Sequence, residues 1–299
     1  MAIGGNLNPD LQATESERSI DETSLDKLAR LETLLREYGR VLVAFSGGAD
    51  STLLLKAAID TLGHDSVLAV TGASASIDAD EIAEARTLAQ KIGARHQVIG
   101  TSELSDERYA SNPINRCYYC KSVLVEELIA IAEREGISRI IDGSNADDLG
   151  DHRPGMAAGH ERGLRSPLQE VGFRKDEIRH LSKKWGLETW DKPAAPCLSS
   201  RIPYGQRVTV EKLQQIGQAE KLIRDLGYRQ VRVRHHDAIA RVEIPSSEMA
   251  DLFARGHADK IVLGLKALGF HYVALDLQGV RSGSLNETIK LKSTTATKA

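Results

Sequence analysis

From Val41 to Asn145, short apolar runs alternate with longer stretches whose apolar positions recur at helical spacing. Residues 41–45, 67–70, 97–99 and 139–142 read as strands, and residues 51–62, 78–91 and 121–135 as helices. This alternation predicts an α/β fold, a doubly wound and mainly parallel sheet with helices on both faces. Ligands of such sheets bind beyond the carboxyl ends of the strands, so Ser46-Gly47-Gly48, Thr71-Gly72 and Gly143-Ser144-Asn145 are expected to share one pocket. After Pro203-Tyr204-Gly205 the rhythm changes. A helix near 210–226, strands at 231–234 and 240–244 around a polar turn at His235-His236, a helical stretch over 247–268 and a strand at 272–275 predict a second, smaller α+β domain. The expected organisation is a flexible polar lead-in (1–22), a main domain (23–204), the small domain (205–286) and a flexible tail (287–299).

The first strand breaks into Ser46-Gly47-Gly48-Ala49-Asp50-Ser51-Thr52 and then a helix. Adjacent glycines let the backbone turn tightly and bring its N–H groups close to an anion, and the helix aims its positive dipole end at the same spot. The hydroxyls of Ser46, Ser51 and Thr52 add donors. The lysine of a kinase-type phosphate loop is missing and an Asp stands inside the loop, which argues against γ-phosphate transfer. This pattern resembles the PP-loop of the ATP pyrophosphatase superfamily, with its adenine nucleotide α-hydrolase-like fold, and the resemblance implies that ATP adenylates a substrate and releases pyrophosphate. Asp50 is the candidate for organising the phosphates, directly or through Mg²⁺; the alternative is an acidic residue stabilising the helix N-terminus.

Bulk properties narrow the partners. With 299 residues, 41% hydrophobic content and a formal net charge of −3, the chain shows no general attraction to nucleic acid or anionic membrane, and a small substrate is expected. No apolar run approaches the ~18–20 residues that cross a bilayer and the N-terminus has no signal-like pattern, so a cytoplasmic location is expected. The three cysteines cannot all pair within one chain.

Cys117 and Cys120 stand three residues apart in Asn112-Pro113-Ile114-Asn115-Arg116-Cys117-Tyr118-Tyr119-Cys120-Lys121, a spacing that places both on one face of a helical turn. Cys197 lies far along the chain in Pro196-Cys197-Leu198-Ser199-Ser200-Arg201. Three converging thiolates could hold zinc, or three irons of a [4Fe–4S] cluster with the fourth iron open; otherwise they are unrelated core or loop thiols.

These motifs, together with Gly143-Ser144-Asn145-Ala146-Asp147-Asp148, Asp151-His152-Arg153-Pro154-Gly155, Pro203-Tyr204-Gly205 and Arg281-Ser282-Gly283-Ser284, resemble the LarE-type ATP-dependent sulfur transferases. The resemblance runs from about Leu28 to Asn286. It implies adenylation of a carboxylate of pyridinium-3,5-biscarboxylic acid mononucleotide, then replacement of AMP by sulfur to give a thiocarboxylate, a step in assembling a nickel-pincer nucleotide. Single-cysteine members sacrifice the cysteine matching Cys197. The presence of Cys117 and Cys120 makes this chain similar to the three-cysteine variant, in which all three bind a [4Fe–4S] cluster as donor. The family also implies a homo-oligomer, and an external sulfide donor is open.

Ser46, Gly47, Gly48, Asp50, Ser51, Thr71 and Gly143 are therefore expected to contact ATP, with Asp50, Cys117, Cys120 and Cys197 in catalysis. Arg116 and Arg201 flank the thiols and could lower their pKa, hold an anionic substrate or make a structural salt bridge, and Asn145, at a strand end, suits contact with substrate or nucleotide. Arg232, Arg234 and Arg281 could receive the phosphate of a mononucleotide. The spacing of Glu220, Glu243 and Asp251 establishes no shared ion. Competing readings are a PP-loop tRNA thiolase carrying an iron–sulfur cluster, against which the net charge stands, and a non-catalytic ATP-binding iron–sulfur protein. An ammonia-using PP-loop synthetase would leave the thiols without a role.

Overall fold

Strand β1 (Val41–Ala44) pairs in parallel with β2 (Val67–Ala73) on one side and β4 (Arg139–Asp142) on the other, and β3 (Arg95–Gly100) adds to β2. The order β3-β2-β1-β4 reverses direction at β1, so the loops leaving β1 and β4 face each other at the carboxyl edge. A computed structural model describes residues 15–150, 154–281 and 283–286.

The strand period of two sorts the core. Val41 and Val43 point to one face, where they meet α1 (Glu15–Tyr38), α2 (Ala49–Leu62), α3 (Ala79–Ile92) and α8 (Lys175–Lys184). Leu42 points to the other and packs with Val125, Leu128 and Ile131 of α5 (Arg116–Glu135). The expected doubly wound sheet is present. Leu53, Leu54 and Leu55 of α2 are fully buried, at about 1.5–3 kcal/mol each, and hold the start of that helix against the end of β1. Short helices α4 (Glu107–Ala110), α6 (Pro154–His160) and α7 (Pro167–Glu170) fill the connections.

The last part of the chain builds α9 (Val210–Asp225), the antiparallel pair β5 (Arg232–His236) and β6 (Ile239–Glu243), α10 (Met249–Ala254), α11 (His257–Ala267) and β7 (Tyr272–Leu275). β7 joins β6 in parallel, and the three strands share their own core with α9 and α11 around Ile223, Val233, Ile261 and Phe270. Tyr109, Leu198, Ile202, Leu213 and Ile216 form a further cluster that seats α9 against the main sheet's loops.

Several expectations are corrected. Residues 15–22 open helix α1 instead of belonging to a loose lead-in, because Leu31 and Leu35 anchor a 24-residue helix whose earlier turns continue it. Helix α5 begins at Arg116, so the Cys-x-x-Cys lies in its opening turns. The helix expected over 247–268 is a tight turn at Ser246–Glu248 followed by α10 and α11, broken at Gly256 with φ 64°. Residues 1–14 and 287–299, the motif residues Asp151, His152 and Arg153, and Ser282 lie outside the described residues.

Candidate active site

The loop between β1 and α2 has the features of an anion cradle. Gly47 has φ 70°, a left-handed conformation that favours glycine, and a Cβ there would sit 3.1 Å from that of Ala85. Gly48 caps α2 without a side-chain acceptor, which leaves first-turn N–H groups for a ligand. Ser46 and Ser51 hold the turn through an Oγ–Oγ contact of 3.1 Å, while Ser51 Oγ donates to the Gly48 carbonyl at 3.2 Å. Gly143, after β4, lies so close to α2 that a Cβ would stand 2.7 Å from Ser51 N.

Asp50 is not open. Lys175 Nζ, from the first residue of α8, reaches its two oxygens at 2.6 and 2.5 Å, and Asn145 Nδ2 donates to it at 3.4 Å. Asp147 receives the Lys175 backbone N–H at 2.8 Å, which is the main reason its carboxyl lies below the usual carboxylate range. Lys192 Nζ contacts the Gly47 carbonyl at 3.4 Å and pairs with Glu81 and Glu84, both at 2.7 Å. Burial works against its charge, but the two carboxylates prevail and raise its pKa.

Beside the loop a cavity of about 290 Å³ is lined by Ser46, Thr71, Gly72, Lys121, Cys197 and Arg201. A larger one of about 780 Å³ holds Lys192, Arg229 and Arg232, and Asp78, Glu81, Arg201, Glu220 and Arg224 line both. Thr71 Oγ1 donates to the Phe45 carbonyl at 2.7 Å, so its 2.8 Å contact with His96 Nε2 makes that nitrogen the donor. Burial, then Arg86, lowers the pKa of His96 and keeps the ring neutral at pH 7. Of the three loops expected in one pocket, Ser46, Thr71 and Gly72 line the smaller cavity. Gly143 packs against the Ser51 backbone and Asn145 Nδ2 donates to Asp50 Oδ2 at 3.4 Å, both at the start of α2.

Cys197 precedes a tight turn, Leu198–Arg201, pinned on three sides. Leu198 N donates to the Ser76 carbonyl at 2.8 Å, Tyr109 Oη contacts Ser76 Oγ at 2.8 Å and Ser199 Oγ at 2.5 Å, and Arg201 Nη1 donates to the Pro196 carbonyl at 2.7 Å. Burial pushes the Cys120 thiol up, with Glu103, Cys197 and Cys117 adding to it. Cys117, although open to solvent on one side, is pushed up by desolvation and then by Cys197, against Arg116. Cys120 packs against the apolar cluster that includes Leu198, the residue after Cys197. Among the described residues no group of three or more His, Cys, Asp or Glu is arranged to hold a metal ion.

The arginines divide. Arg201 donates Nε and Nη2 to Glu220 at 2.8 and 3.0 Å with both side chains buried, so it ties the Cys197 turn to α9. Arg234 is likewise spent on Glu243, the Ser200 carbonyl and Ser284 Oγ. Arg116 is buried, donates to Asn112 Oδ1 at 2.8 Å and stacks 5.0 Å over Tyr204, away from both cavities. Arg232 lines the larger cavity and donates to the Arg281 carbonyl at 3.0 Å; burial, then Arg234 and Arg201, lowers its pKa. Arg281 pairs with Asp276 at 3.5 Å. Sequence reading missed Lys175, Lys192, Asp78 and Arg224, whose signal is only a charge on an otherwise ordinary stretch, and assigned no role to Lys121, which closes the cysteine motif.

Comparison with known proteins adds to this geometry. Residues 27–111 match the family described as NAD synthase. Over 267 residues the chain is 42% identical to pyridinium-3,5-bisthiocarboxylic acid mononucleotide synthase of Lactiplantibacillus plantarum, covering 89% of this chain and 96% of that protein. It is 46% identical over 263 residues to an uncharacterized protein of Synechocystis, covering 88% and 98%. A tRNA-specific 2-thiouridylase of Rickettsia africae is 27% identical over 191 residues, covering 51% of this chain and 52% of that protein.

Proposed function

The chain belongs to the LarE-type, PP-loop ATP-dependent sulfur transferases, and from that premise we propose that it converts a carboxylate of pyridinium-3,5-biscarboxylic acid mononucleotide to a thiocarboxylate. One observation carries the reading: Cys197 lines the same cavity as Ser46, Thr71 and Gly72, so sulfur chemistry and the phosphate loop share a chamber. The loop's N–H groups and the start of α2 hold the phosphates of ATP. A substrate carboxylate oxygen attacks the α-phosphorus, forming an O–P bond as the bond to pyrophosphate breaks. A sulfur nucleophile then attacks the acyl carbon, forming C–S as C–O breaks and AMP leaves. Lys121, held at 3.1 Å from Asp142, supplies positive charge on the cavity wall. Burial opposes ionisation of Asp142, but Lys121 and Ser166 outweigh it and keep the carboxyl below its usual range. Arg232 in the larger cavity is the group to receive the mononucleotide phosphate.

Three thiols are soft donors of the kind that hold an iron–sulfur cluster: Cys117 and Cys120 lie three residues apart on α5, and Cys120 packs against the apolar cluster that includes Leu198, next to Cys197. A [4Fe–4S] cluster on Cys117, Cys120 and Cys197 supplies, when bound, an iron with no protein ligand that can carry an exchangeable sulfur. Bound metal would also keep Cys117 and Cys120, whose pKa values burial raises, as thiolates. An external sulfide donor replenishes the sulfur.

In this reading residues 15–204, from the start of α1, make the adenylating unit and 205–286 complete the substrate side. Copies of the chain associate in a homo-oligomer, as the family resemblance implies. Among the described residues no helix is long and apolar enough to cross a membrane, and we place the enzyme in the cytoplasm.

Two measurements test the proposal. With the mononucleotide and Mg-ATP, pyrophosphate release and a product heavier by sulfur-for-oxygen exchange are expected; release without the thiocarboxylate sinks the sulfur step. After anaerobic reconstitution, iron and labile sulfide are expected near a four-iron complement and lost in each of Cys117→Ala, Cys120→Ala and Cys197→Ala. Iron that survives Cys117→Ala and Cys120→Ala removes the three-cysteine cluster.

A further inference from the structure

The described residues bury three arginines, and two of them meet a buried carboxylate: Arg201 pairs with Glu220 and Arg234 with Glu243. Arg116, 2% exposed, does not. Its Nη1 donates to the neutral Oδ1 of Asn112 at 2.8 Å, its guanidinium lies 5.0 Å over the Tyr204 ring, and its Nε is buried without a hydrogen-bond partner. Among the described residues it forms no ion pair. A buried charge left without its partner is strongly destabilising, so a cation kept in this way points to an anion that joins it later. Resting on the reading of Cys117, Cys120 and Cys197 as a cluster site, we propose that Arg116 is the fixed counter-charge of that cluster. It is a positioning residue whose guanidinium offsets the net negative charge that three thiolates bring to an iron–sulfur core.

Its place in the fold fits that role. Arg116 is the first residue of α5, Cys117 the second, and Cys120 follows about one turn on. Asn115 gives the helix no side-chain cap and the first turn holds no acidic residue, so nothing there balances the positive end of α5 either. The guanidinium is held firmly. Asn112 is fully buried in a left-handed conformation, φ 56°, and its Nδ2 lies 3.3, 2.8 and 3.0 Å from the carbonyl oxygens of Ile202, Pro203 and Gln206, which turns Oδ1 to Arg116. Those carbonyls and Tyr204 follow the Cys197 turn, so the arginine is clamped between the two stretches that carry the cysteines. It lines neither of the two cavities beside the phosphate loop, which separates it from the groups that receive the substrate. Three thiolates outweigh the positive charge of an oxidised four-iron core, and loading therefore gives the buried cation its missing partner. A cation so placed, poorly screened by water, also favours the more negative, one-electron-reduced state.

The test is a dye-mediated redox titration, followed by electron paramagnetic resonance, of the full chain reconstituted anaerobically with iron and sulfide: parent, Arg116→Gln, Arg116→Lys and Arg108→Gln. Arg116→Gln should lower the reduced-to-oxidised ratio at a fixed potential by about tenfold, which is about 59 mV for one electron. Arg116→Lys keeps the charge and should stay within about twofold of the parent. Arg108, near in sequence but with a side chain 70% exposed and paired with Asp106, is screened by water, so Arg108→Gln should leave the ratio unchanged. Urea unfolding of the iron-free chains gives a second reading. Removing an unpaired buried charge should leave the midpoint of Arg116→Gln at or above the parent's, whereas removing a merely structural contact would lower it. Loss of the cluster from Arg116→Gln but not from Arg116→Lys, with the iron-free midpoint kept, is the same effect at its limit and supports the inference. An unshifted ratio in Arg116→Gln, an equal shift in Arg116→Lys, or an iron-free Arg116→Gln well below the parent in stability overturns it. A parent that takes up no iron overturns the cluster reading and the inference with it, and is distinguishable because that failure precedes any substitution.

Discussion

At the scale of single residues, the site depends on what is absent as much as on what is present. Gly143 has no side chain because Ser51 N is where a Cβ would go, at 2.7 Å. Gly143→Ala should push the start of α2 away from β4, destabilising the protein by about 1–3 kcal/mol. It should also cut pyrophosphate release by about a hundredfold, because phosphates bound by backbone N–H groups tolerate little displacement. Both are read from urea unfolding and a pyrophosphate assay; near-normal turnover would show that the β4 loop does not position the phosphate loop. Gly143 was legible in the sequence as a strand-end glycine, but its reason was not, since the Ser51 backbone it meets is distant in the chain.

Among elements, the junction between the Cys197 turn and α9 dominates. Arg201 and Glu220 are 6% and 1% exposed and bonded through two parallel contacts, and Glu220 also accepts the Val233 N–H at 2.9 Å. Removing one partner leaves a buried charge, so Arg201→Met should cost about 3–5 kcal/mol. Replacing both by apolar residues should cost less, which a double-mutant cycle in urea checks. Retained iron in Arg201→Met would separate cluster binding from the placement of this turn. The pair explains why Arg201 flanks the cysteine. It holds the turn and leaves the anion-binding task that its sequence position suggested to others.

The whole molecule carries a pH signature. Burial is the first cause lowering the pKa of His96, His235 and His236 from an ordinary value of 6.5, so each ring is neutral in the fold and more basic when unfolded. The unfolded chain therefore binds more protons as pH falls below 6.5, and stability should decline from there toward the folded-state values. The slope is at most about 1.4 kcal/mol per pH unit for each ring. Urea midpoints at pH 7.5 and 5.5 check this; equal midpoints would mean that the rings protonate without leaving their sites. The loss should appear well above the range in which carboxylates such as Asp142 titrate.

The alternation of apolar strands and amphipathic helices determined the doubly wound sheet, because period-two and period-3.6 burial are local properties of the chain. The glycine-rich break after β1 determined the tight turn into α2 for the same reason: Gly47 and Gly48 act through their own backbone. Helix α1 went unread because polar residues prevail along it and its hold on the fold rests on a few positions such as Leu31 and Leu35. Which charges meet was decided only in three dimensions. Lys175 reaches Asp50 across 125 residues and Arg201 turns to Glu220 across 19, and partners so separated leave no pattern in the sequence. Arg234 shows the physical reason: an arginine is equally suited to a phosphate or to a buried glutamate, and packing against Glu243 makes the choice.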